Sequence, residues 1–485
     1  MPALAGDIGT RGAIFNAALR RAGPRAAIPR DNSAGRRGRT PRPRLGPRAI
    51  FQRPATRAPA AERTRLTPPA PAALITDALS PADLARLRAD TPAFGRYAHF
   101  AHGSASLPPQ PVFDAMQRWF DSERRDGALR AQAALHEPLE HARPAAARLL
   151  GAQAHQIAFV DAASRAWALA FGAACDGARR VEVISSEHEY GANAINLLHA
   201  RERGRIAALH VLPDAGAAAE ETPAQALRKL LATLDPAALT IVSLPAVAMA
   251  EGRLLELTGV ADAVHAHGGL FFLDASHAAG QTPLEMRALG CDVLLFPARK
   301  WLRGPKGISV LCLSDRALST LGAPPTLDTA GAQWTTDGTA RPHADARRFE
   351  LYEHAPALRL GLAAACNYAM NVGLERIAAR NRIVRDALRE RLAHDFGLQP
   401  LYAGARAAFL TYPVSARHAE ALLQSLTDSG VNANLITPQY THWALERRGH
   451  AQLLRLTPHY LTSEEEVAQL VAALRGKEGW LREAA

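Results

Sequence analysis

The sequence predicts an α/β protein in which a large domain has a mostly parallel β-sheet between helices and a smaller α/β domain follows. Three observations predict this. Between residues 180 and 314, short apolar runs alternate with helical stretches, a pattern typical of parallel strands buried on both faces. After residue 345, two long helical stretches precede a smaller alternation of strands and helices. Residues 1–72 are instead rich in Arg, Pro and Ala, and we expect domains at 73–345 and 346–485.

The Arg-rich segment before the large domain buries too little apolar surface to fold, and we expect residues 1–72 to be a disordered leader. Residues 1–70 contain fifteen Arg and three acidic residues, so this segment carries +12 and the rest of the chain −1 of the net charge of +11. The remainder is close to neutral, which argues against a basic surface for nucleic acid. An organelle transit peptide and an overextended start are two alternatives for this segment.

The elements of the folded part are predicted in order from their periodicity. Helices before the sheet are expected at 81–94, 111–125 and 137–152. The sheet strands are expected at 180–186, 206–213, 239–247, 269–276, 292–298 and 307–314. The C-terminal part is expected to contain helices at 357–373, 374–396, 416–429 and 463–476, with strands at 407–414 and 453–458.

The overall composition also narrows the class of protein. Hydrophobic residues make up 48% and charged residues 21% of the chain, which is ordinary for a soluble globular protein. No apolar stretch reaches the roughly 18 residues that a membrane helix needs. The four cysteines form no CxxC pair, so neither a metal site nor a disulfide framework is expected. Reduced, buried thiols fit a cytoplasmic protein.

A charged residue follows each of two consecutive predicted strands. Asp274 ends the apolar run of "GLFFLDAS", and Lys300 comes shortly after the next strand. Ligands of open α/β sheets bind at the carboxyl ends of the strands. There, an Asp can keep a pyridine nitrogen protonated, and a Lys can form a Schiff base with an aldehyde. The pair therefore indicates pyridoxal 5'-phosphate (PLP), with a helix cap as the alternative for Asp274.

The segments "DASHAAG" and "RKWLRGPKG" resemble those of class V aminotransferase-fold enzymes, which are PLP-dependent enzymes of fold type I. Within that family they are most similar to the branch of isopenicillin N epimerase-like proteins and hercynylcysteine sulfoxide lyases. The similarity runs from about residue 97 to about residue 475. It implies a seven-stranded sheet, a PLP cofactor, an amino-acid substrate and a homodimer.

The resemblance implies roles for three residues at the predicted sheet edge. Lys300 is the Schiff-base lysine, and neighbouring Arg299 helps to lower its pKa. Asp274 pairs with the pyridine nitrogen of the cofactor. His277 faces the phenolic oxygen of the cofactor, with a core histidine as the alternative.

The resemblance also implies where the cofactor phosphate and ring lie. In "VDAASRAW", the backbone at Ala163 and Ser164 binds the phosphate at a helix N-terminus, and a plain helix cap is the alternative. Arg299 is a further phosphate ligand. In "SSEHEYGANAINLL", Tyr190 is the ring that stacks on the cofactor, whereas an alignment shifted by two residues gives His188.

Substrate contacts are implied in two further segments. Arg455, in "LLRLTPHY", binds the α-carboxylate of the substrate, and a structural salt bridge is the alternative. Ser104, in "HFAHGSASLPP", lies close to the substrate. Glu350 and Arg359 recur in this branch, but the resemblance assigns no role to either residue.

Three features depart from the family pattern. Pro297 stands where Ser or Thr commonly binds the phosphate, and Met249 stands where a polar residue contacts the phenolic oxygen. No cysteine follows Cys366, so the sulfur-accepting cysteine of the cysteine desulfurases has no counterpart. This argues against a cysteine desulfurase. Because "RKWLRGPKG" and "LRLTPHY" look most like the lyase branch, we expect β-elimination of the C–S lyase type. Class V aminotransferase and amino-acid epimerase are alternatives, and a catalytically silent partner protein is a distant one.

Overall fold

The computed structural model describes residues 79–178, 180–213 and 222–482. The predicted leader at 1–72 lies outside the described residues. In this part of the chain, no helix has the combination of length and hydropathy that crossing a membrane requires. The described residues belong to one compact unit, so the predicted separation of 73–345 from 346–485 into two domains stays a prediction.

Helices and strands alternate along the described chain. The helices are α1 Pro81–Ala89, α2 Gln110–Asp126, α3 Ala128–Ala134, α4 His136–Glu140, α5 Ala142–Leu149, α6 Ala163–Cys175, α7 Gly191–Glu202, α8 Pro223–Leu231, α9 Val260–Ala266, α10 Met286–Leu289, α11 Asp315–Thr320, α12 Pro356–Val372, α13 Leu374–Phe396, α14 Ala416–Asp428, α15 Pro438–Arg448, α16 Glu464–Leu474 and α17 Gly479–Arg482. The strands are β1 Ala98–His99, β2 Ile157–Val160, β3 Val181–Ser186, β4 Ala208–Leu212, β5 Leu239–Pro245, β6 Val247–Ala248, β7 Arg253–Leu254, β8 Leu270–Asp274, β9 Val293–Pro297, β10 Ser309–Leu313, β11 Ala332–Trp334, β12 Ala340–Pro342, β13 Leu410–Val414, β14 Val431–Asn432, β15 Asn434–Ile436 and β16 Gln452–Leu456.

Seven of the described strands form one sheet in the order β2-β10-β9-β8-β5-β3-β4. The strands from β9 to β4 in this order run parallel, whereas β10 is antiparallel to both of its neighbours. The prediction of a mostly parallel, seven-stranded sheet is therefore confirmed. Because β2, β5, β8 and β9 point the same way, their carboxyl ends meet at one edge of the sheet.

Consecutive residues of the central strands enter two different hydrophobic cores. In β8, Phe271 and Leu273 pack with α5, α9 and α12 on one face. Leu270 and Phe272 pack with α6 and α7 on the other face. Neighbouring strand residues point to opposite faces, which explains why β8 is apolar at four consecutive positions, from Leu270 to Leu273. Burial of each such side chain stabilises the fold by about 1.5–3 kcal/mol.

A buried ion cluster closes the β2 edge of the sheet. Glu350 accepts a hydrogen bond from the amide of Phe159 at 2.8 Å, and Arg143 donates to the carbonyl of Ile157 at 2.9 Å. Arg143 also donates to both oxygens of Glu350, at 2.6 and 2.7 Å, and Arg359 donates to Glu350 at 3.0 Å. Glu350 and Arg143 thus satisfy backbone groups that a further strand would otherwise bind, and Arg359 completes the ion cluster.

A smaller sheet in the order β13-β16-β15 lies in the C-terminal part of the described chain. The segment after α1 joins this part, because β1 pairs in parallel with β14 through Ala98 and Val431. Farther along, the carbonyl of Phe100 accepts a hydrogen bond from the amide of Thr457 at 2.8 Å. This pairing holds the loop that follows β1 against the end of β16.

Some predicted helices differ from the observed ones. The helix predicted at 81–94 ends at Ala89, shortly before Pro92, which disfavours helical geometry in the preceding residue. The helix predicted at 137–152 is divided into α4 and α5. Pro144 has no amide hydrogen for the carbonyl of Glu140, so a continuous helix would lose a hydrogen bond there. Helices α3 and α15 and the hairpin of β11 and β12 were not predicted.

Candidate active site

The carboxyl ends of β8 and β9 bring Asp274 and the Lys300 loop to one place. Asp274 is the last residue of β8 and lies opposite Leu295 of β9 in the parallel register. The amide of Ala275 donates to the carbonyl of Leu295 at 2.9 Å, which fixes the end of β8 against β9. Lys300 follows Pro297, the last residue of β9, by three positions. Both residues therefore lie at the edge where α/β sheets bind ligands.

A close backbone approach holds the Lys300 loop against the loop after β8. The amide of Arg303 donates to the carbonyl of Lys300 at 2.9 Å and closes a turn. Gly280, with a φ of 89°, lies so near this turn that an added Cβ would be 2.4 Å from the amide nitrogen of Leu302. Glycine is therefore required at this position, both for its φ and for the missing Cβ.

Arg303 anchors the same turn, although sequence reasoning assigned it no role. Its φ of 62° is unusual for a residue with a side chain. Its guanidinium donates to the carbonyl of Leu107 at 2.8 Å, the hydroxyl of Tyr460 at 2.6 Å and the hydroxyl of Thr91 at 2.5 Å. These contacts offset the unfavourable backbone conformation. The three acceptors are remote in sequence, so no local pattern could reveal them.

Lys300 is buried, and the exposed fraction of the residue is 8%. Its Nζ lies 3.1 Å from Nε2 of His277 and 5.8 Å from the ring centre of Tyr190. Burial lowers the pKa of Lys300 from 10.5 to about 7, while Asp274 opposes this shift and Arg299 adds to it. Much of the amine is therefore neutral near neutral pH, which attack on an aldehyde requires.

His277 is held as a neutral imidazole beside this amine. Burial lowers the pKa of His277 well below 6.5, and the charge of Lys300 lowers it further. The indole N–H of Trp301 donates to Nδ1 over a long 3.5 Å, and Phe409 meets the ring edge-on with centroids 5.0 Å apart. Because Nδ1 accepts a hydrogen bond, the ring proton belongs on Nε2. His277 therefore presents a donor to the site.

The carboxylate of Asp274 is oriented by a donor on each oxygen. The amide of Ser276 donates to Oδ1 at 2.8 Å, and the side-chain amide of Asn193 donates to Oδ2 at 3.2 Å. Asn193 belongs to α7, so this contact also ties that helix to the end of β8. A carboxylate held by neutral donors remains a strong acceptor for a cationic group.

Arg455 supplies a buried cation without a carboxylate partner among the described residues. Its exposed fraction is 3%, its Nη2 donates to the hydroxyl of Ser104 at 2.7 Å, and it lies 5.5 Å from the ring centre of Phe409. Its Nε has no hydrogen-bond partner within this part of the chain. Burial lowers the pKa of Arg455 to about 10. A buried guanidinium with an unused donor fits a carboxylate ligand.

The residues predicted to bind phosphate lie at the same edge of the sheet. Strand β2 ends at Val160, whose register partner Ser309 also pairs with Pro297 at the end of β9. Ala163 and Ser164 are the first two residues of α6, which follows β2 directly. Amides at the start of a helix have no helical acceptor and favour anions.

The two candidates for the stacking ring point to different places. Tyr190 lies beside Lys300, and burial raises the pKa of its phenol while Arg299 opposes the shift. His188 instead has its Nε2 3.1 Å from Nη2 of Arg253. The structure therefore brings Tyr190, and not His188, to Lys300.

The Arg299 side chain makes no hydrogen bond or ion pair with the described residues and is free to meet an anion.

One site neighbour from the C-terminal part carries no sequence signal. Tyr440, in α15, lies close enough to Arg455 and Tyr190 to influence the pKa of both. Helix α15 is kinked at Thr441, where φ is −161° and ψ is 68°. Met249 is buried in a small cluster against which Tyr190 packs. Tyr440 is a single aromatic residue in an irregular helix and forms no periodic pattern, so the sequence alone does not reveal it.

None of the four cysteines belongs to the segments that form the site at the carboxyl ends of the strands. Cys291 and Cys312 lie at the opposite edge of the sheet, before β9 and near the end of antiparallel β10, and Cys175 ends α6. Cys366 is buried within α12. Burial raises the pKa of Cys175 to about 11 and that of Cys366 to about 12. These thiols are neither placed nor ionised to act as nucleophiles at this site.

Known protein families and sequences were compared with this chain. The family profile described as aminotransferase class-V matches residues 99–470. A probable cysteine desulfurase of Xylella fastidiosa (strain 9a5c) is 27% identical over 426 residues, which cover 81% of this chain and 95% of that protein. A second, from Mycobacterium leprae (strain TN), is 26% identical over 428 residues, which cover 82% of this chain and 98% of that protein.

Solved structures share the fold. The apo structure of a cysteine desulfurase from Thermococcus onnurineus NA1 has a TM-score of 0.71 at 21% identity and covers 82% of this chain and 98% of that chain. The cystine C–S lyase C-DES, in complex with its reaction product cysteine persulfide, has a TM-score of 0.69 at 19% identity and covers 79% and 98%. Because the family profile spans most of the sequence, the chain belongs to the class V aminotransferase family of PLP-dependent, fold type I enzymes.

Proposed function

We propose that the protein is a PLP-dependent lyase that cleaves a carbon–sulfur bond of an amino-acid substrate by β-elimination. The observation that carries the proposal is a buried Lys300 with a pKa of about 7, close enough to be influenced by the charge of a buried Arg455 that has no carboxylate partner among the described residues. The four cysteines lie in other segments. The lysine and the arginine suit deprotonation and binding of an amino acid. The position of the cysteines favours elimination, which needs no protein thiol, over transfer of sulfur to an enzyme cysteine.

The described residues fit the PLP cofactor of the family. The amine of Lys300 suits covalent attachment and the buried carboxylate of Asp274 suits a ring nitrogen. The guanidinium of Arg299 and the amides at the start of α6 each suit a phosphate. Bound PLP supplies an electron sink for negative charge that develops at the α-carbon of an amino acid. The residues proposed to hold it are Lys300, Asp274, His277, Tyr190, Ala163, Ser164 and Arg299.

Lys300 is the residue proposed to take the proton from the substrate α-carbon. A general base works best when its pKa is near the operating pH, and the pKa of Lys300 is about 7. The positive charge of Arg299 favours the neutral, basic form of the amine. The Nε2–H of His277, 3.1 Å away, orients the lone pair of that amine.

Arg455 is proposed to bind the α-carboxylate and so to fix the position of the substrate. Its planar guanidinium can bind both carboxylate oxygens, which restricts rotation of the amino acid. Ser104 holds one end of the guanidinium through the 2.7 Å hydrogen bond to Nη2. Such positioning lowers the entropic part of the barrier to proton transfer.

Within the family, we infer that the chain lies nearest the branch of isopenicillin N epimerase-like proteins and hercynylcysteine sulfoxide lyases. The segments "RKWLRGPKG" and "LRLTPHY" support this. The C–S lyase C-DES, whose product is cysteine persulfide, shows that the fold supports cleavage at a carbon–sulfur bond. Two relatives are named as probable cysteine desulfurases, and removal of sulfur from cysteine also breaks a carbon–sulfur bond.

We also infer a homodimer, which the family resemblance implies. Trp334, on the hairpin of β11 and β12, is 88% exposed. A partner that covered such side chains would remove apolar surface from water. Light scattering of the purified protein measures the mass, and a monomer across the whole concentration range would contradict the inference. Among the described residues, the large exposed apolar side chains are Phe113, Phe120, Leu129, Ile195, Val211, Trp334, Tyr352, Met370, Ile383 and Tyr440.

Two measurements test the proposed function. Borohydride reduction of the purified, PLP-loaded protein should fix the cofactor on Lys300, as peptide mass spectrometry would show. Separately, incubation of unreduced, PLP-loaded protein with cysteine-conjugate sulfoxides and thioethers should release pyruvate and ammonia, and a Lys300→Ala variant should release neither. Amino transfer to a 2-oxo acid without pyruvate would indicate an aminotransferase, and inversion of the α-carbon an epimerase. Failure to take up PLP would indicate a catalytically silent protein.

A further inference from the structure

A second buried carboxylate, that of Glu189, is joined to Asp274 through one intervening side chain. Glu189, between β3 and α7, has an exposed fraction of 1% and no part in the mechanism proposed above. Asn193 joins the two acids, because its Nδ2 donates to Oε1 of Glu189 at 3.0 Å and to Oδ2 of Asp274 at 3.2 Å. One side-chain amide therefore uses both of its hydrogens on two carboxylates.

The protein surrounds Glu189 with hydrogen-bond donors. Besides the Asn193 amide, Oε1 accepts from the amide of Tyr190 at 2.9 Å, and Oε2 accepts from the hydroxyls of Ser185 at 3.0 Å and Ser243 at 2.8 Å. The indole of Trp167 donates to Ser243 at 3.0 Å, which leaves the Ser243 hydrogen for Glu189. With donors on every side, a proton on Glu189 would find no acceptor, so these hydrogen bonds favour the carboxylate, whereas burial and the charge of Asp274 oppose it.

The orientation of the Asn193 amide is fixed by the two acids. Its Oδ1 is fully buried and has no hydrogen-bond partner among the described residues. The flipped amide would place this oxygen against both carboxylates. An unpaired buried amide oxygen is unfavourable, but two hydrogen bonds to charged oxygens outweigh it. The amide of Asn193 therefore keeps the orientation in which it donates to both Glu189 and Asp274.

The two carboxylates also repel each other. Burial, and then the charge of Asp274, raise the pKa of Glu189 to about 7, against the hydrogen bonds from Asn193 and Ser243. Lys300, whose own pKa is about 7, supplies only part of a positive charge nearby. A cation placed directly against Asp274 would relieve the repulsion. The site therefore favours a ligand that brings positive charge to this point.

We propose that Glu189, acting through Asn193, is a positioning residue that makes this site select a ligand with a protonated ring nitrogen. The inference rests on the proposed function, in which the PLP ring nitrogen meets Asp274. Asn193 orients the Asp274 carboxylate, and the Glu189 charge stabilises the pyridinium opposite it. Without Glu189, Asp274 alone would hold that proton less tightly.

The test compares two ligands that differ at a single ring atom. Full-length apoprotein is titrated with PLP and with its analogue that carries carbon in place of the ring nitrogen, and the dissociation constants are measured by calorimetry. Wild-type protein should prefer PLP, and Asp274→Ala should abolish the preference. Glu189→Gln should reduce the preference about tenfold, in line with loss of one charge-assisted contact. Asn193→Ala, which leaves Glu189 in place, should reduce it similarly.

A purely structural role would give a different result. If Glu189→Gln and Asn193→Ala weakened both ligands equally, or left the preference unchanged, the inference would be overturned while the role of Asp274 stood. If wild-type protein did not distinguish the ligands, the proposed role of Asp274 would fail instead. Glu182→Gln is the matched control, because Glu182 is a buried acid on β3 that binds Arg180 at 2.8 Å, and its loss should leave the preference intact.

Discussion

The side-chain nitrogen of Lys300 lies 3.1 Å from Nε2 of His277, and neither residue forms an ion pair within the described part of the chain. The Trp301 indole donates to the other ring nitrogen, so Nε2 carries the hydrogen and points it at the amine. An amine that accepts this hydrogen bond must be neutral. The contact therefore holds Lys300 in the form that can act as a nucleophile or a base.

Replacing Lys300 by Met should stabilise the apoprotein in a pH-dependent way. The amine titrates at 10.5 in the unfolded chain and at about 7 in the fold. Between these values the unfolded state binds more protons, so wild-type stability rises with pH. The stabilisation by Met should be several kcal/mol below the folded pKa, since each pKa unit corresponds to about 1.4 kcal/mol, and should vanish above 10.5. Urea unfolding at a series of pH values measures it, and a pH-independent difference would contradict it.

Arg455 should show opposite effects on stability and on function. Its burial without a carboxylate is unfavourable in the apoprotein, so Arg455→Met should raise the free energy of unfolding by roughly 1–2 kcal/mol. The same change removes the proposed carboxylate ligand and should raise the KM for the amino acid at least ~30-fold. Arg359→Met is the matched control, because Arg359 is also buried but binds Glu350, and its loss should destabilise. Destabilisation by both variants would refute the prediction.

Glu350→Gln should destabilise the fold by about 3 kcal/mol, because Arg143 and Arg359 would stay buried without their carboxylate. Burial alone would raise the pKa of Glu350, but the hydrogen bond from Arg143 and the two charges hold it below 4.5. This contribution is therefore present above 4.5 and is lost as the pH falls through the folded value. Thermal unfolding of both proteins measures the difference, and Glu390→Gln, at an exposed pair, should leave it nearly unchanged.

The central sheet was predictable because its strands are buried on both faces. A run such as "GLFFLDAS" is apolar at consecutive positions, and Leu270 to Leu273 do enter both cores. The same runs place Asp274 and Lys300 at strand ends, so the heart of the site could be located from the sequence. The division of the predicted helix at 137–152 required attention to Pro144, which apolar periodicity ignores.

The residues that support the site were not predictable in the same way. The acceptors of Arg303 belong to Thr91, Leu107 and Tyr460. Asn193 joins Glu189 to Asp274, which is 81 positions farther along the chain than Asn193. Such contacts join segments that are far apart in sequence, and neither spacing nor composition encodes them. A buried acid or arginine in a sequence therefore looks the same as an exposed one until its partners are known.

Alkylation of the folded protein with iodoacetamide should leave carbon–sulfur cleavage unchanged. Burial raises the pKa of all four thiols, to about 11 at Cys175, so little thiolate forms near neutral pH. A reaction that passed sulfur to an enzyme cysteine would instead stop when that thiol was blocked. Pyruvate release before and after treatment measures the effect, and mass spectrometry counts the labels. Protein alkylated in urea, where all four cysteines should react, shows that the reagent works. Loss of activity in step with one label on a single cysteine would mean that a thiol takes part, and the elimination mechanism would have to be replaced by sulfur transfer.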